Sequence, residues 1–200
     1  MQRSSVAILD TLVIFVVVFG LQIVAAMIGA ALLASLFVLQ PPLTADPWTI
    51  VTSVYAHAGT GHLISNSVGL VLFGWPVARA TTRGRFHAFF VATGAIAGVS
   101  QIVITGALAD TPGIAVAATD GVWGASGAVF ALLGYLIASN RLSIGIGGRV
   151  DVPRWLVGVL FVLVAAVVTI TTGAPGVALV AHFVGLLVGL LAGRARLLAV

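Results

Sequence analysis

The chain has 200 residues, 60% of them hydrophobic and only 7% charged, and its mean hydropathy is +1.22. A water-soluble domain carries roughly a quarter charged residues, so this composition excludes that class and implies a polytopic helical membrane protein. The net charge of +4 comes from nine arginines against five aspartates, with no lysine and no glutamate. The arginines sit at segment ends rather than in one patch, which points to membrane orientation and away from nucleic acid. There are no cysteines, so disulfides, thiolate catalysis and Cys-ligated metals are excluded.

In chain order, apolar segments run over about 11–39, 63–77, 87–108, 122–138, 155–171 and 177–193. They predict an all-α bundle of six transmembrane helices in a single domain covering 1–200. The first segment is too long for the apolar region of a cleaved signal and has no small-residue cleavage site, so it is read as structure. Arg3 precedes it, Arg79, Arg83 and Arg85 follow the second, Arg141, Arg149 and Arg154 lie between the fourth and fifth, and Arg194 and Arg196 follow the sixth. Six spans with the N-terminus inside put every arginine on the cytoplasmic side and Asp46, Asp110 and Asp120 outside. The expected location is the cell membrane, multi-pass, with both termini cytoplasmic.

Polar side chains in hydrocarbon need a partner or a function. YAHAGTGHLISNSVG places His57, His62 and Asn66 at the outer entry of span two. GVWGASGAVFALLG (121–134) places Ser126 near the outer start of span four, and VALVAHFVGLLVGLLAG places His182 near that of span six. With Ser126 about four and His182 about five residues into their helices, both are expected roughly 6–9 Å below the outer end. Each also has an ordinary reading: serine back-bonding to its own helix, histidine or asparagine bonding a neighbouring helix. His87, beside Arg83 and Arg85, reads as interfacial and inert, and Ser65, Ser67 and Ser100 as back-bonded. The small residues shift the balance. Gly185, Gly189 and Gly193 make one face of span six a groove, and Gly124, Gly127, Ala131 and Gly134 offer a slim surface on span four. Packing of those faces brings the imidazole of His182 within reach of the Ser126 hydroxyl.

Such a pair permits acyl transfer, with imidazole taking the proton of a serine nucleophile. Candidate donors for the oxyanion are the Ser126 N–H near a helix N-terminus and the side chains of His62 and Asn66, four apart and on one helix face. No acid lies in any span except Asp10 at the inner edge of the first, so a Ser–His dyad is expected.

These residues resemble the rhomboid family of intramembrane serine proteases. GASGAVFALLG (124–134) resembles the family's GxSG nucleophile motif, HAGTGHLISN (57–66) its H-x4-H-x3-N element, and AHFVGLLVG (181–189) its AHxxGxxxG helix. The likeness covers essentially the whole chain, as a minimal six-helix rhomboid-like core. It implies Ser126 as nucleophile, His182 as general base, and His62 and Asn66 as oxyanion-stabilising groups. It also implies a supporting role for His57 and a ring at Phe130 packed on the catalytic imidazole. The loop over 40–56 lacks the Trp-Arg pair of longer members, and WPVARATTRGR lacks an acid found near the end of span two.

Two rival readings keep the same residues. One is an inactive rhomboid-like protein that binds membrane clients. The other is a metal site or transporter built on His57, His62 and His182; without glutamate an HExxH protease is impossible, and no carboxylate line marks an ion path. An α/β-hydrolase elbow fails because Ala128 stands where its last glycine belongs. No cofactor or metal is expected. The expected partners are the bilayer and single-span or other membrane-protein substrates with helix-destabilising residues.

Overall fold

The first apolar run folds as two helices, α1 (Gln2–Ile28) and α2 (Ala30–Phe37), where the sequence predicts one long span. The break is Gly29, whose backbone is extended between them. What holds α2 away from a straight continuation is burial of its own apolar face: Phe37 packs with Ala25 and Ala56, with Leu32 and Leu33 alongside. The last carbonyls of α2 have no helical partner. The Trp48 indole N–H donates to Ser35 O at 2.7 Å and the Thr52 hydroxyl to Leu36 O at 2.6 Å. Both donors belong to the loop over 38–59, which includes the short α3 (Thr49–Thr52).

In this computed structural model the described residues are 2–113, 116–139, 154–173 and 176–199. Arg141, Arg149 and the rest of the connection before span five lie outside them, as do the side chains of Arg3 and Arg154. After the loop come α4 (Thr60–Gly69), a π-helical turn (Leu70–Gly74) and α5 (Trp75–Ala78), one after another. Then follow α6 (Arg83–Ala109), α7 (Ser126–Ser139), α8 (Arg154–Thr171) and α9 (Leu179–Arg194). Among the described residues there is no strand, only an isolated antiparallel bridge between Leu39 and Val122.

Among the described residues, two helices are long and apolar enough to cross a membrane: Val6–Ile28, with mean hydropathy 2.7, and Arg83–Ala109, with 1.8. Only 22% of the first is buried inside the protein. Leu9, Val13, Val16, Leu21, Val24 and Met27 are exposed along α1, as are Trp155, Leu160, Leu163, Val167 and Ile170 along α8. A surface this apolar and continuous suits lipid and not water. The core lies between α1, the α4–α5 segment, α6 and α7, around Phe15, Phe86, Phe90, Leu70 and Leu132.

Charge is divided between the two ends of the bundle. At one end Asp10 of α1 accepts from Arg83 Nε at 2.6 Å and contacts His87 Nε2 at 3.2 Å. His87 therefore ties α1 to α6, far from the residues discussed below. At the same end Arg85 donates to the carbonyls of Leu197 and Ala199, and the Leu198 N–H donates to the Tyr135 hydroxyl at 3.2 Å. These contacts seat the tail after α9 where the sequence lacks an acid to do so. The Leu39–Val122 bridge and the loops around it occupy the other end.

The most intimate contact joins α7 and α9. A methyl group at Gly185 would collide with the carbonyl of Gly127, one at Gly189 with that of Ala131, and one at Gly193 with that of Tyr135. From the other side, a methyl at Gly134 would meet Leu186 O. These are backbone atoms that no rotamer change moves aside. Gly189→Ala should therefore lower stability by about 1–3 kcal/mol through overpacking. Gly20→Ala, in open space on the exposed side of α1, should gain roughly 0.5–1 kcal/mol from helix propensity. Thermal unfolding in detergent micelles reads both, and equal melting of Gly189→Ala and wild type would contradict the contact.

Candidate active site

Ser126 is the first residue of α7, not about four residues into a helix as the sequence predicts, so it lies at the helix end rather than below it. Residues before it are held extended by long-range bonds: Leu39 and Val122 exchange N–H···O bonds of 2.9 Å, and the Gly124 N–H donates to Ser53 O at 2.9 Å. Gly124 has φ +133°, a conformation open in practice to glycine alone, and a methyl there would run into the His62 imidazole. Helix thus cannot extend back through Gly124. The first helical bond of α7 is Val129 N–H to Ala125 O at 2.9 Å. The N–H groups of Ser126, Gly127 and Ala128 precede it and are left to face outward from the helix end. The Ser126 hydroxyl makes no hydrogen bond with a described residue.

His182 lies in the first turn of α9, its N–H bonded to Ala178 O at 3.1 Å. Its ring stacks on Phe130, one turn after Ser126, with centroids 4.2 Å apart and planes at 21°. That stacking fixes the imidazole plane. Nδ1 is buried without a hydrogen-bond partner, so no carboxylate orients the ring from behind.

His62 and Asn66 come from α4, brought against α7 where Gly69 meets the Val129 side chain. His62 Nδ1 accepts the Ala58 N–H at 3.4 Å. A ring nitrogen that accepts carries no proton, which assigns the hydrogen to Nε2, the atom lying over Gly124. Asn66 is buried and spends one amide hydrogen on His62 O at 3.0 Å, leaving the other. Ser65 and Ser67 bond carbonyls of their own helix. The π-helical turn follows immediately, one helical turn beyond Asn66.

Ser126, His182, His62, Asn66 and Phe130 line one pocket of about 520 Å³. Gly127, Gly185 and Gly189 are at the α7–α9 contact beneath it. His57 is behind the pocket rather than on its wall. Its ring lies edge-on to His62 at 5.3 Å and to Phe15 at 4.7 Å. Burial first, and His62 second, push this loop imidazole down to about 4, so it is neutral near pH 7. Its backbone is clamped by Gln22 of α1, whose amide accepts the His57 N–H at 2.9 Å and donates to His57 O at 3.2 Å.

Two buried amides went unmarked in the sequence, Gln22 and Gln101, although polar side chains inside apolar segments are the very signal that marked the histidines. Gln101 of α6 accepts the Ala181 N–H at 3.0 Å and donates to the Thr119 hydroxyl at 2.8 Å. Among the described residues, no group of three or more His, Cys, Asp or Glu side chains is arranged to hold a metal ion. The pocket wall carries a free hydroxyl, an imidazole and groups with N–H donors, which acyl transfer can use.

A search of curated proteins finds no match for this chain. The family model for the rhomboid domain matches residues 44–198, from the loop before α3 to the tail after α9. The chain belongs to the rhomboid family.

Proposed function

We propose that the protein is an intramembrane serine endopeptidase that cleaves transmembrane segments near the outer face of the bilayer. The observation that carries this reading is the unbonded Ser126 hydroxyl at the start of α7, in one pocket with a His182 imidazole fixed by Phe130. His182 Nε2 takes the proton as Ser126 Oγ adds to the scissile carbonyl. The oxyanion forms among the Ser126 N–H, His62 Nε2–H and the remaining Asn66 amide hydrogen. His182 then returns the proton to the leaving amine, and water repeats the sequence on the acyl-enzyme. With Nδ1 unpartnered, the base works as half of a dyad.

A fluorophosphonate probe should label the wild-type protein at Ser126. Ser126→Ala and His182→Ala should abolish both labelling and cleavage of a transmembrane substrate while folding is retained. His62 and Asn66 substitutions should cost about 10- to 1000-fold, since one oxyanion donor is worth roughly 3–4 kcal/mol and its neighbours remain. A folded wild-type protein that neither labels nor cuts would favour the inactive, client-binding relative.

We read the chain as one membrane domain with six crossings: α1, the α4–α5 segment, α6, α7, α8 and α9. Both termini face the cytoplasm, in keeping with arginines gathered at one end and Asp46, Asp110 and Asp120 on loops at the other. Because the chain has no cysteine, single cysteines report cleanly. One at Thr44 or Asp110 should react with an impermeant thiol reagent added outside intact cells, and one at Ala80 should not. The reverse pattern would put the pocket at the cytoplasmic face.

The substrate class follows from what a helix hides. Its carbonyls are bonded, so an intramembrane peptide bond is open to attack only where the helix unwinds. Glycine or proline near the cut lowers that cost most, and the likeness to the rhomboid family points to a small residue before the bond. In a series of single-span substrates differing only in the outer helical turn, Gly- or Pro-containing spans should be cut faster than a poly-leucine span. Equal rates would remove the unwinding requirement.

A further inference from the structure

The glycine contact between α7 and α9 repeats every four residues: Gly185 on Gly127, Gly189 on Ala131, Gly193 on Tyr135. A repeat of this kind brings the helices close but does not by itself choose among registers one turn, about 5.4 Å, apart. A pocket that needs His182 opposite Ser126 requires something else to choose, and α9 begins without a cap of its own. Its N-cap is Ala178, which has no side-chain acceptor, and the Ala181 N–H, the usual target of such a cap, is bonded instead by the Gln101 amide oxygen at 3.0 Å. The other end of that amide donates to Thr119 Oγ1 at 2.8 Å, in the segment leading to Ser126. Thr105 completes the set by donating to Gln101 O at 2.7 Å and accepting the Thr119 N–H at 3.1 Å. Gln101 is 6% exposed, and its bond to the Ala181 N–H is buried.

We propose that Gln101 is a positioning residue whose single side-chain amide joins the Ser126 loop to the His182 helix and holds nucleophile and base in one register. The role in catalysis rests on the protease reading above; the clamp itself does not. Gln101→Leu keeps the volume and removes both bonds. Measured well below its melting temperature, it should lose about 10- to 100-fold in kcat and in fluorophosphonate labelling rate together, with KM near wild type, as a misplacement of reacting groups does. Thr119→Val, at a half-buried site, breaks only the loop end and should give a smaller loss of the same kind. The double variant should be no worse than Gln101→Leu alone. Hydrogen exchange adds a readout free of activity. In Thr119→Val, amides at Ala181 and His182 should exchange faster along with those at 119–123, because the clamp couples them. Wild-type labelling by folded Gln101→Leu overturns the positioning role. Should Gln101→Leu fail to fold, Thr119→Val decides it by the same labelling and exchange. Faster exchange confined to 119–123 overturns the clamp. A wild-type protein that neither labels nor cuts defeats the protease reading alone, and the exchange result then decides the clamp.

Discussion

Everything at the pocket depends on how closely α7 and α9 approach. Lipid tails are as apolar as leucine, so two helices inside a bilayer gain little by hiding apolar side chains from it. What they gain is dispersion from dense contact, and density is greatest where no side chain intervenes. Gly185, Gly189 and Gly193 put their bare backbone on the carbonyls of Gly127, Ala131 and Tyr135, and Gly134 does the same to Leu186 O. A contact built of backbone is also stiff, because no rotamer can relax it. Ser126 and His182 sit at one end of this stiff pair, so how near their two helices lie follows from main-chain geometry.

The remaining polar groups show how the fold treats those it does not use. Thr11, Thr93 and Thr105 return their hydroxyls to carbonyls of their own helix, and Gln22 and Gln101 each bond across to another segment. Such bonds are what a low-dielectric surrounding demands of a buried donor. Against that background His182 Nδ1 stands buried and unpaired at the pocket, beside a Ser126 hydroxyl without a partner among the described residues. Both ring nitrogens of His57 and the hydroxyls of Thr81 and Thr169 are also unpaired, but none of these three residues lines the pocket.

Helix positions, the basic end and the three motif segments were legible in the sequence because each is a local pattern. Apolar length marks a helix, arginine marks its flank, and a four-residue glycine repeat marks a contact face. What escaped was decided between distant segments. Residues 122–125 are as apolar as the helix that follows, and the bridge to Leu39, the Gly124 bond to Ser53 O and the His62 ring over Gly124 keep them extended. The split of the first span at Gly29 goes with burial of Phe37 against Ala25 and the distant Ala56. Gln101 stands out as a polar side chain in an apolar segment, but its partners, the Thr119 hydroxyl and the Ala181 N–H, come to it only when α6 and the tip of α9 are side by side.

The position of Ser126 at a helix start, the point on which the sequence reading needed correction, is also what the proposed chemistry demands. A serine one turn deeper has its own N–H bonded to a carbonyl four residues back, and its hydroxyl competes for the same kind of partner. At the first position the N–H groups of Ser126, Gly127 and Ala128 are free by geometry, and the helix dipole adds partial positive charge where an oxyanion develops. These donors are already oriented before substrate arrives, so stabilising the developing charge requires no reorganisation. Free donors are tolerable only near the end of the bundle, where water reaches them, and the same water is the second reactant of hydrolysis. Depth is therefore a compromise: far enough down for Phe130 and the α7–α9 contact to fix His182, shallow enough to stay wet.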